Sequence, residues 1–137
     1  MVLVATTAAA GVRAGRCLPD SRPFEGTVYN KEYNVFLVLN FYDADVTVPK
    51  QEVLGQMDGY IGCGDCNHVW TITTSVLDND RTARFEATNN YGSEDFTAKL
   101  TLGDDGTYTL RHTGGSTLKF PVGGKWRKLP SKVTFTR

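Results

Sequence analysis

The second half of this chain alternates apolar and polar side chains with a period of two, in short stretches between regularly spaced turns. In FTAKLTL (96–102), every second residue is apolar and each residue between is Thr or Lys. Clusters rich in Gly, Asn and Asp separate such stretches, at 78–81, 89–94, 103–107, 113–116 and 122–125. Because successive side chains of a strand point to opposite faces of a sheet, this pattern predicts antiparallel hairpins with one dry and one solvated face.

The first half predicts further strands, at 24–30, 33–42, 45–49 and 68–77. The stretch 33–42 is apolar on both faces, so it is expected to need cover on both sides. A second layer, the N-terminal arm or a partner subunit would supply that cover, and the last case implies a homo-oligomer formed through this strand. One short helical turn is predicted, at 49–58.

These strands define the expected architecture. A sheet of about eight to ten strands closes into a barrel or folds into two layers rather than staying open. Sequential hairpins favour an all-β, antiparallel up-and-down β-barrel, and the strand at 33–42 keeps a two-layer β-sandwich as the alternative. We expect residues 1–23 to be an N-terminal arm and residues 24–137 to be a single β domain.

Charge and targeting signals restrict the classes of partner and the compartment that are expected. The chain has 15 Lys and Arg against 15 Asp and Glu, a balance that argues against a nucleic-acid partner. No apolar run reaches the ~18 residues of a membrane helix. In the arm, Arg13 and Arg16 follow the apolar residues, the reverse of a secretory signal, while its composition leaves organelle targeting open. An odd number of cysteines, three, favours a reducing, intracellular compartment.

Cys63, Cys66 and His68 form the one motif with ligand-like spacing. Two thiolates and an imidazole can hold zinc, with Cys17 or His112 as a fourth ligand, which would make the protein a zinc-stabilised interaction module. A redox pair is a second possibility, although the following residues are strand-like and give no helix dipole to activate a thiol. The third is a plain turn between strands. The spacing leaves all three open, and zinc is the one cofactor predicted.

Aromatic residues provide the remaining candidates. Those expected to point inward are Trp70, Phe85, Phe96, Tyr108 and Phe120. We predict a ligand site at one end of the barrel, formed by Trp70, Tyr108, His112 and Trp126. The expected function is a non-enzymatic binding protein for a small apolar or amphipathic ligand or for a protein partner. An enzyme that uses His112 as an acid or base is a further alternative, and no catalytic residue is assigned.

The hairpin rhythm, the length and the aromatic interior resemble the small antiparallel barrels of the lipocalin and fatty-acid-binding kind. Two motifs of those proteins are missing here, a G-x-W near the first strand and a T-D-Y-x-x-Y segment. The resemblance therefore implies an architecture only, and no functional residue follows from it.

Overall fold

A computed structural model describes residues 22–49, 51 and 55–137 of the chain. Within these residues the chain forms strands and no helix, and so has no helix able to span a membrane. The strands are β1 (Glu25–Asn30), β2 (Val35–Asn40), β3 (Val46–Thr47), β4 (Gln56–Met57), β5 (Gly59–Cys63), β6 (Val69–Asn79), β7 (Thr82–Asn89), β8 (Asp95–Leu102), β9 (Tyr108–Gly115), β10 (Lys119–Val122), β11 (Lys125–Lys128) and β12 (Lys132–Phe135). The helical turn expected at 49–58 lies partly outside the described residues. Near its end, the described residues form the strand β4 instead.

Eight of these strands form one antiparallel sheet in the order β1-β2-β5-β6-β7-β8-β9-β12. The two edge strands, β1 and β12, approach each other. The main chains of Tyr29 in β1 and of Thr136, just after β12, exchange hydrogen bonds of 2.6 and 2.8 Å. The sheet is therefore nearly closed into a barrel, and the predicted all-β antiparallel barrel is confirmed. The pairs β3–β4 and β10–β11 are separate two-stranded hairpins.

The interior of the barrel is filled by a continuous file of aromatic rings. Neighbouring ring centroids lie 5.2–6.2 Å apart along the order Trp70, Phe96, Phe85, Phe41, Phe24 and Tyr108. All six side chains are buried. An eight-stranded barrel has an interior just wide enough for side chains to fill, and these rings fill it.

The file joins the two ends of the barrel. Trp70 pairs with Asn89 at the end of β7, whereas Tyr108 pairs with Leu102 at the end of β8. Because consecutive antiparallel strands run in opposite directions, these two pairs lie at opposite ends. We call the end that holds Tyr108 the Tyr108 end. We call the opposite end, near Trp70, the His68 end after the residue just before β6.

The strand that is apolar on both faces, predicted at 33–42 and observed as β2, gains outer cover from its own chain. The outward ring of Phe36 contacts the rings of Tyr29 and Tyr60 at 6.3 and 6.0 Å. The segment that contains β3 and β4 lies beside this face, and its Val48 is fully buried. Aromatic neighbours and this segment provide much of the cover that the pattern requires, and a homo-oligomer through β2 stays a prediction.

Candidate functional site

The β10–β11 hairpin packs against the His68 end. Its Phe120 is fully buried, and the indole Nε1 of Trp70 donates a 3.0 Å hydrogen bond to the carbonyl oxygen of Lys119. The turn of the hairpin uses Gly123 and Gly124, with φ of 61° and 81°, which glycine adopts at no steric cost. One face of the hairpin is thus fixed to the core while the other faces outward.

His68 lies among four aromatic rings at this end. Its ring centroid is 5.6 Å from that of Tyr91, 5.7 Å from Trp126, 6.0 Å from Trp70 and 6.1 Å from Phe120. Trp70 and Phe120 are fully buried, whereas Tyr91 is 73% and Trp126 51% exposed. We call these five residues the aromatic cluster. Its inner half belongs to the core and its outer half is open to solvent.

The imidazole of His68 is buried without a hydrogen-bond partner for Nε2. The residue is 5% exposed, and Nε2 has no partner among the residues that the structure describes. Burial lowers the pKa of this imidazole, which keeps it neutral near pH 7. A buried polar atom left unpaired costs about 1–3 kcal/mol, so a group that reached Nε2 would recover stabilisation.

Two ion pairs border the aromatic cluster. The Lys119 ammonium lies 3.2 Å from a carboxylate oxygen of Glu94 and 5.2 Å from the centroid of the Trp126 ring. Arg127, beside Trp126 in β11, pairs with Asp65 at 3.2 Å. The hydrogen bond to Arg127 lowers the pKa of the Asp65 carboxyl. The Glu94–Lys119 pair therefore lies beside the exposed Trp126 ring. The Asp65–Arg127 pair joins the hairpin to the turn before β6.

Cys63 and Cys66 are joined by a disulfide across the turn between β5 and β6. In this form neither sulfur is a thiolate, the species that binds zinc. No group of three or more His, Cys, Asp or Glu residues is placed to hold a metal within the described ranges. Zinc binding by Cys63, Cys66 and His68 stays a prediction for the reduced chain, and Cys17 lies outside the described residues. Elemental analysis of protein purified under reducing conditions, without added metal, tests it.

Tyr108, a predicted ligand-binding residue, lies at the other end of the barrel. Its hydroxyl donates to the carbonyl oxygen of Pro23 and accepts a 2.9 Å hydrogen bond from Arg137 Nη2. The Arg137 guanidinium also lies 5.5 Å from the centroid of the Tyr108 ring. The predicted set is therefore divided: Trp70 and Trp126 both contact His68, whereas Tyr108 belongs to the opposite end.

His112 is half-buried and lies next to the aromatic file. Its ring stacks on Phe96 with centroids 5.7 Å apart, and its Nε2 forms a 2.8 Å hydrogen bond with the carbonyl oxygen of Ser116. This nitrogen is thus paired with a main-chain oxygen rather than with a carboxylate. A role for His112 as an acid or base stays a prediction, as does its role in ligand binding.

Tyr91 and Phe120 were not among the predicted site residues, and His68 was predicted only as a zinc ligand. Phe120 was expected in the core, and it is there, but its contact with His68 depends on how the hairpin folds over the barrel end. Tyr91 stands in the turn NNYGSE (89–94). A large ring among small polar turn residues is a weak signal that marks a candidate contact residue.

No protein family model, no curated protein and no solved structure matches this chain. The resemblance to lipocalin-type barrels therefore stays a prediction from the sequence pattern. Function has to be argued from the site, because one fold serves many activities.

Proposed function

We propose that this protein is a non-enzymatic β-barrel binding protein, and that it contacts a protein partner through the aromatic cluster at its His68 end. The observation that carries the proposal is the pair of exposed rings, Tyr91 and Trp126, resting on a buried imidazole whose Nε2 is unpaired. Exposed large rings cost free energy in water. A site at which a partner covers them explains why they are held there.

The filled interior favours a protein partner over a small ligand. The aromatic file occupies the space that a ligand-binding barrel would leave open. The groove beside the disulfide and His68 has a volume of about 140 Å³, whereas pockets for small molecules usually measure ~300–1,000 Å³. Contact with the exposed outer rings does not require a deep pocket.

The composition of the His68 end resembles that of protein–protein interfaces. Trp and Tyr are enriched at the centres of such interfaces, where they provide much of the binding energy, and charged groups form the rim. Here Tyr91 and Trp126 would form the centre. The Glu94–Lys119 pair beside Trp126 would belong to the rim. The rim charges would orient the partner, and the rings would provide most of the affinity.

His68 gives the site a means of recognition. A partner side chain with a hydrogen-bonding group could reach Nε2 if Tyr91 or Trp126 turned aside. Tyr91 lies in the 90–94 turn, next to Gly92 with φ of 73°, rather than within a strand. A partner that satisfied Nε2 would gain affinity over one that only covered the rings.

The test is affinity capture from extracts of cells that express the protein, followed by binding measurements with the purified partner. Wild-type protein and the Trp126→Ala and Tyr91→Ala variants serve as baits. We expect Trp126→Ala to weaken binding by about 30-fold or more, as truncation of an interface hot spot does. Tyr29→Ala is the matched control, because Tyr29 is also half exposed but contacts Phe36 instead of the aromatic cluster.

A partner that bound the Trp126→Ala and wild-type proteins equally would contradict the proposal, and so would the absence of any partner. Titration with small amphipathic molecules, monitored by tryptophan fluorescence, distinguishes a small ligand from a protein partner. Tight binding of such a molecule that is lost in the Trp126→Ala variant would keep the site and replace the protein partner by a small ligand.

A further inference from the structure

A row of four cationic residues crosses the outer face of the barrel, and none of them belongs to the aromatic cluster. Arg84 of β7 pairs with Lys99 of β8, Lys99 pairs with Arg111 of β9, and Arg111 pairs with Lys132 of β12. All four side chains are exposed. We call them the basic row. It runs straight across four strands that are neighbours in the sheet, β7, β8, β9 and β12.

Such a row is unfavourable unless something compensates it. Residues directly opposite each other in an antiparallel pair have Cα atoms about 4.5–5.5 Å apart, and like charges at that spacing destabilise the sheet. The chain as a whole carries 15 cationic and 15 anionic side chains. Its composition would thus allow alternating signs on this face, yet the four positions are all Lys or Arg.

One member of the row forms an ion pair. Arg84 forms a two-pronged ion pair with Asp78, at 2.8–3.1 Å. Lys99, Arg111 and Lys132 form no ion pair with any residue in the described part of the chain. Three adjacent cations therefore remain available to an anion from outside.

These three side chains share a groove of about 340 Å³ with two threonines. Thr101 and Thr109 pair directly with each other in the row next to Lys99 and Arg111. Their hydroxyl groups add donors to those of the ammonium and guanidinium groups, and no carboxylate lines the groove. The groove thus combines positive charge, hydrogen-bond donors and a volume within the range of small-molecule sites.

We propose that this groove binds the phosphoryl groups of a phosphorylated small molecule. The planar guanidinium of Arg111 can donate two hydrogen bonds to one phosphoryl group. Lys99 and Lys132 on either side supply charge to the same group or to a second one. The threonine hydroxyls can complete the donor set at oxygens that the cations leave free.

The same face gives no support to nucleic acid as the ligand. Proteins that bind single strands combine basic grooves with aromatic rings on which the bases stack. The residues that line this groove are Lys, Arg, Thr and Gly, and they offer no ring. The zero net charge of the chain also argues against the long-range attraction on which nucleic-acid binding depends.

The test measures the thermal unfolding midpoint of the full chain at low salt with inorganic pyrophosphate, phosphate, sulfate or chloride, at matched ionic strength. Ligand that binds the folded state raises the midpoint. We expect pyrophosphate to raise it most, phosphate less, and chloride not at all. In the Arg111→Gln variant the apparent affinity for pyrophosphate should fall about tenfold or more.

Lys31→Gln is the matched control, because Lys31 is an exposed cation in the turn between β1 and β2. It loses the same charge and should respond as wild type does. Without added anions, Arg111→Gln should have a midpoint equal to or above that of wild type, since it relieves repulsion within the row. That result separates loss of the site from loss of the fold.

The outcomes decide between specific binding and general screening. Equal responses of wild type and Arg111→Gln to pyrophosphate would overturn the proposal, and so would an Arg111→Gln midpoint below that of wild type without anions. A response to sulfate as large as that to phosphate would overturn the phosphoryl assignment and leave a general oxyanion site. Amide shifts in NMR spectra that are confined to β8, β9 and β12 on adding pyrophosphate would support it.

Discussion

The two ends of the barrel are both rich in aromatic rings, but they differ in how their polar groups are satisfied. At the Tyr108 end, the phenol hydroxyl bonds to the Pro23 carbonyl oxygen and to Arg137, and the guanidinium lies over the ring. At the His68 end, Nε2 of a buried imidazole has no partner within the described chain, and Tyr91 and Trp126 face solvent. At the Tyr108 end the polar groups of the ring are satisfied by the chain itself, although a groove of about 550 Å³ opens beside them. At the His68 end a polar group is left for contact.

The comparison teaches how to read aromatic residues in a small barrel. Rings such as Trp70 and Phe96 belong to the filled interior and stabilise the fold. Tyr91 and Trp126, at the His68 end, contribute little to the core because half or more of their surface is in water. Burial together with hydrogen-bond satisfaction, and not residue type, distinguishes structural rings from candidate contact residues.

The largest expected difference is between the two tryptophans. Trp70→Ala removes a fully buried ring and the donor to the Lys119 carbonyl oxygen, so we expect the free energy of unfolding to fall by about 3–5 kcal/mol. Trp126→Ala is the control and should cost less than about 1 kcal/mol. Urea unfolding followed by circular dichroism measures both. Similar losses for the two variants would mean that Trp126 is a core residue, contrary to the comparison.

A smaller effect should separate the two tyrosines. Tyr108→Phe leaves the Pro23 carbonyl oxygen and the Arg137 guanidinium without the hydroxyl, and we expect a loss of about 1–3 kcal/mol in the same assay. Tyr91→Phe, at a residue that is 73% exposed, should change stability by less than about 0.5 kcal/mol. If the Tyr108→Phe variant were as stable as wild type, the Tyr108 end would not depend on the hydrogen bonds of this hydroxyl.

The smallest effect concerns His68 and depends on pH. Because burial lowers its pKa below the ordinary value of 6.5, the unfolded chain takes up a proton as the pH falls through that value while the folded chain does not. His68 therefore makes the protein less stable as the pH falls. At pH 7.5 the His68→Leu variant should lie within about 1 kcal/mol of wild type, because the replaced nitrogen is unpaired.

Between pH 7.5 and pH 5, wild type should lose more free energy of unfolding than the His68→Leu variant does. The carboxylates titrate alike in the two proteins, so the difference reports on His68. Chemical unfolding at both pH values measures it. Identical pH dependence in the two proteins would mean that the imidazole takes up its proton equally well in the folded state.

Much of the fold was predictable because it follows from local alternation. The stretch 96–102 became β8 with Phe96, Ala98 and Leu100 buried, as its period of two requires. The inward positions of Trp70 and Tyr108 were predicted for the same reason. The closure between Tyr29 and Thr136 was expected only from strand number, because no local pattern states which edges meet.

The candidate sites were less predictable. His68 meets Tyr91 and Trp126 because the 90–94 turn and the β10–β11 hairpin come together at one barrel end. The spacing of Cys63 and Cys66 was compatible with a metal site, a redox pair or a plain turn. The structure joins the two cysteines as a disulfide. The basic row depends on register, including an irregularity between Thr97 and Ala98 in the β8–β9 pairing. A shift of one residue there would place Lys99 opposite a different side chain.

The amino-acid order alone determined that this chain forms antiparallel ribbons with an apolar and a polar face, since backbone geometry makes side chains alternate whatever their distant neighbours are. Only the tertiary structure decided which rings fill the centre and that His68 is enclosed by aromatic residues with Nε2 unpaired. It alone also placed three cations without an ion pair side by side. Those relations join residues from distant strands and loops, so they depend on closure and register, which local sequence does not encode.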